Sequence, residues 1–199
     1  MDNYHLDDDD KDTTPAAAPT TLIENALFKS RTILLTGGID FKAARSVCER
    51  LLALSAESND PILLVISSPG GHVESGDMIH DMIKFVSAPV KVLGTGWVAS
   101  AGALIYSAAK KENRFSLPNT RFLLHEPRGG VGGQATDVEI QAREIIKMRQ
   151  RLNNIFAEAT GKSLEQIKKD TDRDFWMSAE EAVAYGLVGK IVRNRNEIV

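Results

Sequence analysis

Ser100 sits among small residues in Gly96-Trp97-Val98-Ala99-Ser100-Ala101-Gly102, at the head of an apolar run from Ala101 to Ala109 that predicts a buried helix. A serine in that place lies at the positive end of a helix dipole, and the N–H of the next residue points to where a developing negative charge could be held. The glycine and alanine neighbours let a substrate backbone come close. That combination suits a nucleophilic serine. A serine at a helix start also serves as a plain N-cap, and the local sequence alone does not separate the two roles.

A serine nucleophile needs a general base within hydrogen-bond reach and a carboxylate that orients the base and balances its cation. The histidines are His5, His72, His80 and His125. His80 falls among Met78, Ile79, Met82 and Ile83 on a helical pattern, which points to a surface or core-edge place. His72 follows Gly70-Gly71 and could flank a site. His125 ends the predicted strand 121–124 and precedes Glu126-Pro127, and strand ends are where sites gather in α/β folds. For the acid, Asp172 and Asp174 share the polar turn Thr171-Asp172-Arg173-Asp174-Phe175-Trp176. Two residues apart, they stay equivalent at this stage, and either also fits a solvated turn or a pair with Arg173. The turn Ser68-Pro69-Gly70-Gly71 could supply a second N–H for an oxyanion and an edge for an extended peptide. Cys48 lies on the apolar side of a helical pattern with no histidine near it in sequence, and reads as a small core residue.

Strands and helices alternate around these residues from Arg31 onward. Thr32–Thr36 predicts a short strand ended by Gly37-Gly38. Asp40 then caps a helix with apolar positions Phe41, Ala44, Val47, Cys48, Leu51 and Leu52. Ile62–Ile66 has no polar alternation, which predicts a strand buried on both faces of a mostly parallel sheet. A helix over about 75–86, a strand over 90–93, the helix after Ser100, and strands near 114–117 and 121–124 continue the α/β rhythm. Beyond Gly129-Gly130-Val131-Gly132-Gly133 a long helix begins at the capping box Thr136-Asp137-Val138-Glu139 and ends at Gly161. At about 1.5 Å per residue it is roughly 37 Å long, against a radius of gyration of about 16 Å for a domain of this size. Its apolar residues, Ile140, Ile145, Ile146, Met148, Leu152, Ile155 and Phe156, exceed one narrow stripe. Part of it is therefore expected to project and bury its apolar face against another subunit, the alternative being a surface helix packed only on its own core. Capping boxes at Ser163 with Gln166 and at Ser178 with Glu181 start two shorter helices, and a strand over 188–192 closes the chain.

The 199 residues, 43% of them hydrophobic, suffice for a single core. A net charge of −3 with scattered Lys and Arg gives no basic surface for nucleic acid. The absence of a long apolar run argues against a membrane span. One cysteine, no signal peptide and no span together suit a reducing, cytoplasmic setting. Residues 1–22, with the acidic block Asp7–Asp10 and a Pro/Ala/Thr run, are expected to be a disordered tail ahead of one domain over 23–199.

Ser68–Gly71, Gly96–Gly102, Phe122–Pro127, Gly133-Gln134-Ala135-Thr136-Asp137 and Thr171–Ala179 together resemble the Clp serine peptidase family, over about Leu27 to Val192, in order and at the family's spacings. The resemblance implies a crotonase-like α/β fold of repeated ββα units with a long projecting handle helix. It implies Ser100 as nucleophile, His125 as general base and Asp174 as orienting acid, with the N–H groups of Gly71 and Ala101 as oxyanion donors and Gly70, Gly71 and His125 lining the substrate site. It implies heptameric rings stacked into a tetradecamer that encloses the sites and cleaves unfolded polypeptides to short peptides, served by an unfoldase ATPase of the Clp family. ATP is then used by that partner, and no cofactor or metal by this chain. A paralogous proteolytic subunit is a further possible partner. Three positions depart from the family: Ala101 replaces a methionine, Trp97 a small polar residue, and Val65 a tyrosine that lines the ATPase groove. Losing that aromatic weakens each docking contact by about 0.5–1.5 kcal/mol. Two other functions compete: a non-catalytic ring subunit of a mixed assembly, which the presence of Ser100, His125 and Asp174 disfavours, and an acyl-thioester enzyme of the same fold class, which needs no serine nucleophile.

Overall fold

The structure, a computed structural model, describes residues 19–127 and 132–198. In chain order the elements are α1 (Pro19–Lys29), β1 (Thr32–Thr36), α2 (Phe41–Glu57), β2 (Ile62–Ser68), α3 (Val73–Phe85), β3 (Val90–Ala99) and α4 (Ala101–Ser107). They continue as β4 (Arg114–Ser116), β5 (Arg121–Leu124), α5 (Ala135–Thr160), α6 (Leu164–Thr171), β6 (Phe175–Met177), α7 (Ala179–Tyr185) and β7 (Lys190–Ile191). The α2 helix forms where its pattern predicts, although Phe41 and Leu52 of the apolar set are exposed. The Asp40 carboxylate accepts from the Ala43 N–H at 2.7 Å, and Ala44, Val47, Cys48, Leu51 and Leu54 are buried at helical spacing. A cap of this kind stabilises a helix by about 1 kcal/mol.

β1, β2, β3, β4 and β7 run parallel in that order. β3 is longer than its apolar core predicts, because it serves two neighbours on one edge. Val92–Gly94 pair with β4, and Trp97–Ala99 pair with β5, also in parallel. β6 then lies antiparallel to β5. One face of the sheet and α2, α3 and α4 share a core that includes Ile33, Leu64, Ile79, Leu104 and Phe122.

Several expectations need correction. Along β2 buried residues alternate with half-buried ones, so Leu63 and Val65 do not share the full burial of Ile62, Leu64 and Ile66. Along β1 and β2 one face of the sheet is covered and the other partly open, with Leu34 of β1 exposed on the open face, whereas β4 is buried on both. The first helix begins at Pro19, inside the span read as a tail without helical period. Proline is well placed there, since its fixed φ suits a first turn whose N–H groups have no intrahelical partner. Residues 1–18 of the expected tail, His5 among them, lie outside the described residues, as do 128–131 of the glycine-rich run.

The long helix starts at Ala135 with Gln134 in the cap position, so Thr136 is already inside it and forms no capping box. Glu139 instead pairs with Arg143 one turn on. Ser163 accepts from the Gln166 N–H at 3.2 Å, but the Gln166 side chain turns to Asp170, leaving half a box. The box at Ser178 and Glu181 is complete. The last strand shrinks to Lys190–Ile191, while Val188 joins the core.

At 26 residues α5 spans roughly 39 Å. Its buried residues are Leu152, Asn153 and Phe156, all in the C-terminal half. Leu152, expected at a subunit contact, packs in the chain's own core, whereas Ile140 and Ile146 are exposed.

Candidate active site

Ser100 joins the last residue of β3 to the first of α4. Its backbone adopts φ 55°, ψ −120°, a conformation rare for a residue with a side chain. Such a backbone costs roughly 1–3 kcal/mol and persists where the surroundings over-determine it. Here the Ser100 N–H donates to the Leu123 carbonyl at 3.0 Å, and the Ser100 carbonyl accepts from Ala103 and Leu104 to start α4. The hydroxyl forms no cap. The N-cap reading of Ser100 therefore fails on its side chain.

The hydroxyl points across the sheet. Ser100 Oγ lies 2.8 Å from His125 Nε2, and His125 Nδ1 lies 3.0 Å from Asp174 Oδ1. A bond to a carboxylate requires a proton on Nδ1, so in the neutral ring Nε2 keeps its lone pair and accepts from the serine. The sheet sets this line. Ala99 pairs with Leu123, which puts Ser100 one step past the end of that ladder and His125 two residues further along the neighbouring strand. β5 and β6 pair Phe122 with Met177, Leu123 with Trp176 and Leu124 with Phe175. The next rung of that antiparallel register faces His125 with Asp174.

The two acids are separated here. Asp174 is the one that meets His125, whereas the Asp172 carboxylate sits 3.4 Å from Arg173. Of the other histidines, His72 bonds Ser75 Oγ through Nδ1 at 3.0 Å and approaches Glu74 at 3.2 Å. His80 is buried in α3 with Nδ1 2.9 Å from Asp81. Burial pushes the Cys48 thiol up from its ordinary value, which keeps it protonated and inert, as a core residue should be.

The Ser68–Gly71 turn packs directly on this centre. Gly70 has φ +97°, and a Cβ there would come within 2.6 Å of Ser100 Cβ and 2.9 Å of the Ala99 carbonyl. Gly71 bridges to Ile39 through its neighbours: the Ile39 N–H donates to Gly70 O, and the His72 N–H donates to Ile39 O. In a parallel bridge of this form the N–H and C=O of Gly71 point to the opposite edge. Ala101 is the first residue of α4, where an N–H has no intrahelical acceptor. Trp97 is 44% exposed and sits beside Arg121 across the ladder, whose guanidinium lies 4.3 Å from the Trp176 ring.

Two supports were missed in the sequence. Arg149 on α5 holds the Glu126 carboxylate at 3.2 Å, next to His125. Asn153, one turn on and 4% exposed, bonds Thr171, three residues before Asp174. The available signal was an amide set between Leu152 and Phe156 on the buried side of a helix.

The sequence pattern of the Clp protease family matches residues 16–195. The chain belongs to the Clp protease family. The match starts ahead of Leu27, where the resemblance was expected to begin, in keeping with a helix that begins at Pro19. The chain is 60% identical over 183 residues to "ATP-dependent Clp protease proteolytic subunit 2" of Gluconobacter oxydans, covering 91% of this chain and 82% of that one. It is 60% identical over 192 residues to "ATP-dependent Clp protease proteolytic subunit 3" of Rhizobium meliloti, covering 96% and 98%. Among solved structures, ClpP1 from Listeria monocytogenes superposes with a TM-score of 0.81 at 55% identity, over 89% of this chain and 99% of that one. The fold of this Clp protease chain is accordingly crotonase-like. No helix of the described residues is long and apolar enough to cross a membrane. Among the described residues no cluster of His, Cys, Asp or Glu is placed to hold a metal ion.

Proposed function

We propose that this chain is the proteolytic subunit of an ATP-dependent Clp protease, a serine endopeptidase that cleaves unfolded polypeptides to short peptides. The observation that carries the reading is the hydrogen-bonded line from Ser100 Oγ through His125 to Asp174, built on a strained strand-to-helix turn. An extended substrate pairs with the open edge of Gly71 and lays its carbonyl beside Ser100. Ser100 Oγ attacks the carbonyl carbon while His125 Nε2 takes the hydroxyl proton. Asp174 holds the imidazole in its Nδ1–H tautomer and balances the cation. The N–H groups of Gly71 and Ala101 take the developing oxyanion. His125 passes its proton to the leaving amine, and water, deprotonated by the same nitrogen, releases the acyl group. No cofactor enters these steps, and ATP is spent by the partner unfoldase. The non-catalytic alternative fits poorly with a side-chain line in which each donor meets its acceptor.

Hydrolysis of a fluorescent unfolded polypeptide over a pH series tests this chemistry. Short products are expected near neutrality, with the rate falling on acidification because an imidazolium has no lone pair to accept the serine proton. A profile flat down to about pH 5 overturns His125 as base.

The proposal includes assembly into heptameric rings and a cytoplasmic tetradecamer, homomeric or shared with a paralogous subunit. The exposed Ile140 and Ile146 on the unburied half of α5 support it, since apolar residues at that spacing are otherwise left in water. Ile140→Glu combined with Ile146→Glu is expected to shift the sedimenting particle from a multi-subunit mass to smaller species, with polypeptide hydrolysis falling alongside. A stable, active monomer of the unmodified chain overturns the compartment.

A further inference from the structure

We infer that Asn153 and Thr171 are positioning residues that hold His125 and Asp174 at their working separation, an inference that rests on the serine-peptidase reading above. The two partners of the histidine–aspartate bond come from separate segments: His125 from the end of β5, Asp174 from the turn between α6 and β6. Past Leu124 and Phe175 the β5–β6 ladder stops. Beyond it the segments are joined by the Glu126 N–H donating to the Thr171 carbonyl at 2.8 Å, a bond that brackets the His125–Asp174 rung from outside. The place of that carbonyl therefore governs how closely the rung can form.

Thr171 is the last residue of α6 and is 1% exposed. Its Oγ1 lies 2.8 Å from the Ile167 carbonyl and 3.0 Å from the Asn153 side-chain amide. A hydroxyl has a single proton, and the carbonyl can only accept it. Both bonds are satisfied when Thr171 Oγ1 donates to Ile167 and Asn153 turns its amide so that Nδ2 donates to Thr171 Oγ1. Asn153 stands in the half of α5 that enters the core, between Leu152 and Phe156. An apolar residue would satisfy packing there without the cost of burying an amide. Arg149, one turn earlier on the same helix, holds the Glu126 side chain. The helix thus grips both sides of the histidine–aspartate rung, through Glu126 after the histidine and Thr171 before the aspartate.

The test compares Asn153→Ala, Thr171→Val and Thr171→Ser in the assembled full chain, with kcat for a short peptide expressed per Ser100 titrated by a fluorophosphonate. Misplacement of reacting groups by about 1 Å costs on the order of 100-fold. Asn153→Ala and Thr171→Val are expected to lower kcat per titrated site by about 10- to 100-fold with KM nearly unchanged, the sign of an interaction expressed in the transition state. Thr171→Ser keeps the hydroxyl and is expected to stay within about threefold of the parent. Parental kcat per titrated site in Asn153→Ala and Thr171→Val overturns the inference, as does a loss in Thr171→Ser equal to that in Thr171→Val. Normalising to titrated sites removes any misfolded fraction. Failure of the underlying reading looks different: the parent chain itself is not labelled at Ser100.

Discussion

Ser100→Ala is expected to lower kcat for a short peptide by about 10,000- to 1,000,000-fold while leaving the fold and the assembled mass unchanged. The substitution removes one oxygen that makes no capping bond, so no helix end loses an acceptor. Its backbone conformation is set by the bonds of its own N–H and carbonyl to Leu123, Ala103 and Leu104, all of which alanine keeps. What disappears is the atom that attacks and the acceptor relation with His125 Nε2. The remaining rate comes from N–H groups that stabilise the oxyanion of a water attack. Covalent labelling by a fluorophosphonate should vanish with the oxygen. The Cys48 thiol is not placed to take over: it sits on the buried side of α2 with its Sγ 3.7 Å from the Met78 carbonyl of α3. Labelling that persists in the variant, or peptide hydrolysis within about tenfold of the parent, would remove Ser100 from the mechanism.

The parts of the site that were legible in sequence are those set by local chemistry. A serine between a strand and an apolar helix, a histidine at a strand end and a Pro-Gly-Gly turn each carry their signal within a few residues. The choice between Asp172 and Asp174 does not. It depends on where each falls beyond the last β5–β6 pair, and that placement is a property of two segments fifty residues apart. The local sequence leaves the two acids equivalent for that reason. The same limit explains β2. Ile62–Ile66 is apolar without interruption, yet only alternate residues are fully buried, because the number of helices covering the second face is not written in the strand. Caps were read well where the helix start is fixed by its own first turn, at Asp40 and Ser178. They are not legible at Thr136, where Ala135, the best helix former, lies just ahead and the helix starts two residues earlier, with Gln134 in the cap position. On α5 an apolar pattern could not tell Leu152, which packs inward, from Ile146, which does not. Both belong to a stripe broader than the short stretch of core the helix meets.

Asp174→Asn is expected to cost about 10,000-fold in kcat, and Asp172→Asn far less, when the two are compared at equal assembled mass. An asparagine at 174 matches the shape of the carboxylate but can present an N–H to His125 Nδ1. The ring then shifts its proton to Nε2, the nitrogen that must accept from Ser100, and the base is lost through the wrong tautomer. The imidazolium formed in the transition state also loses its counter-charge. Asp172 has neither role in this geometry. It is 61% exposed, in a pair with Arg173 at 3.4 Å. An exposed ion pair of that kind contributes about 0–1 kcal/mol. The comparison separates the orienting acid from its neighbour without reference to stability, because both substitutions remove one charge from one short turn. Equal losses at matched mass would mean that the register of β5 and β6 does not select the acid. The histidine–aspartate bond at 3.0 Å would then be a structural contact and not part of the reaction.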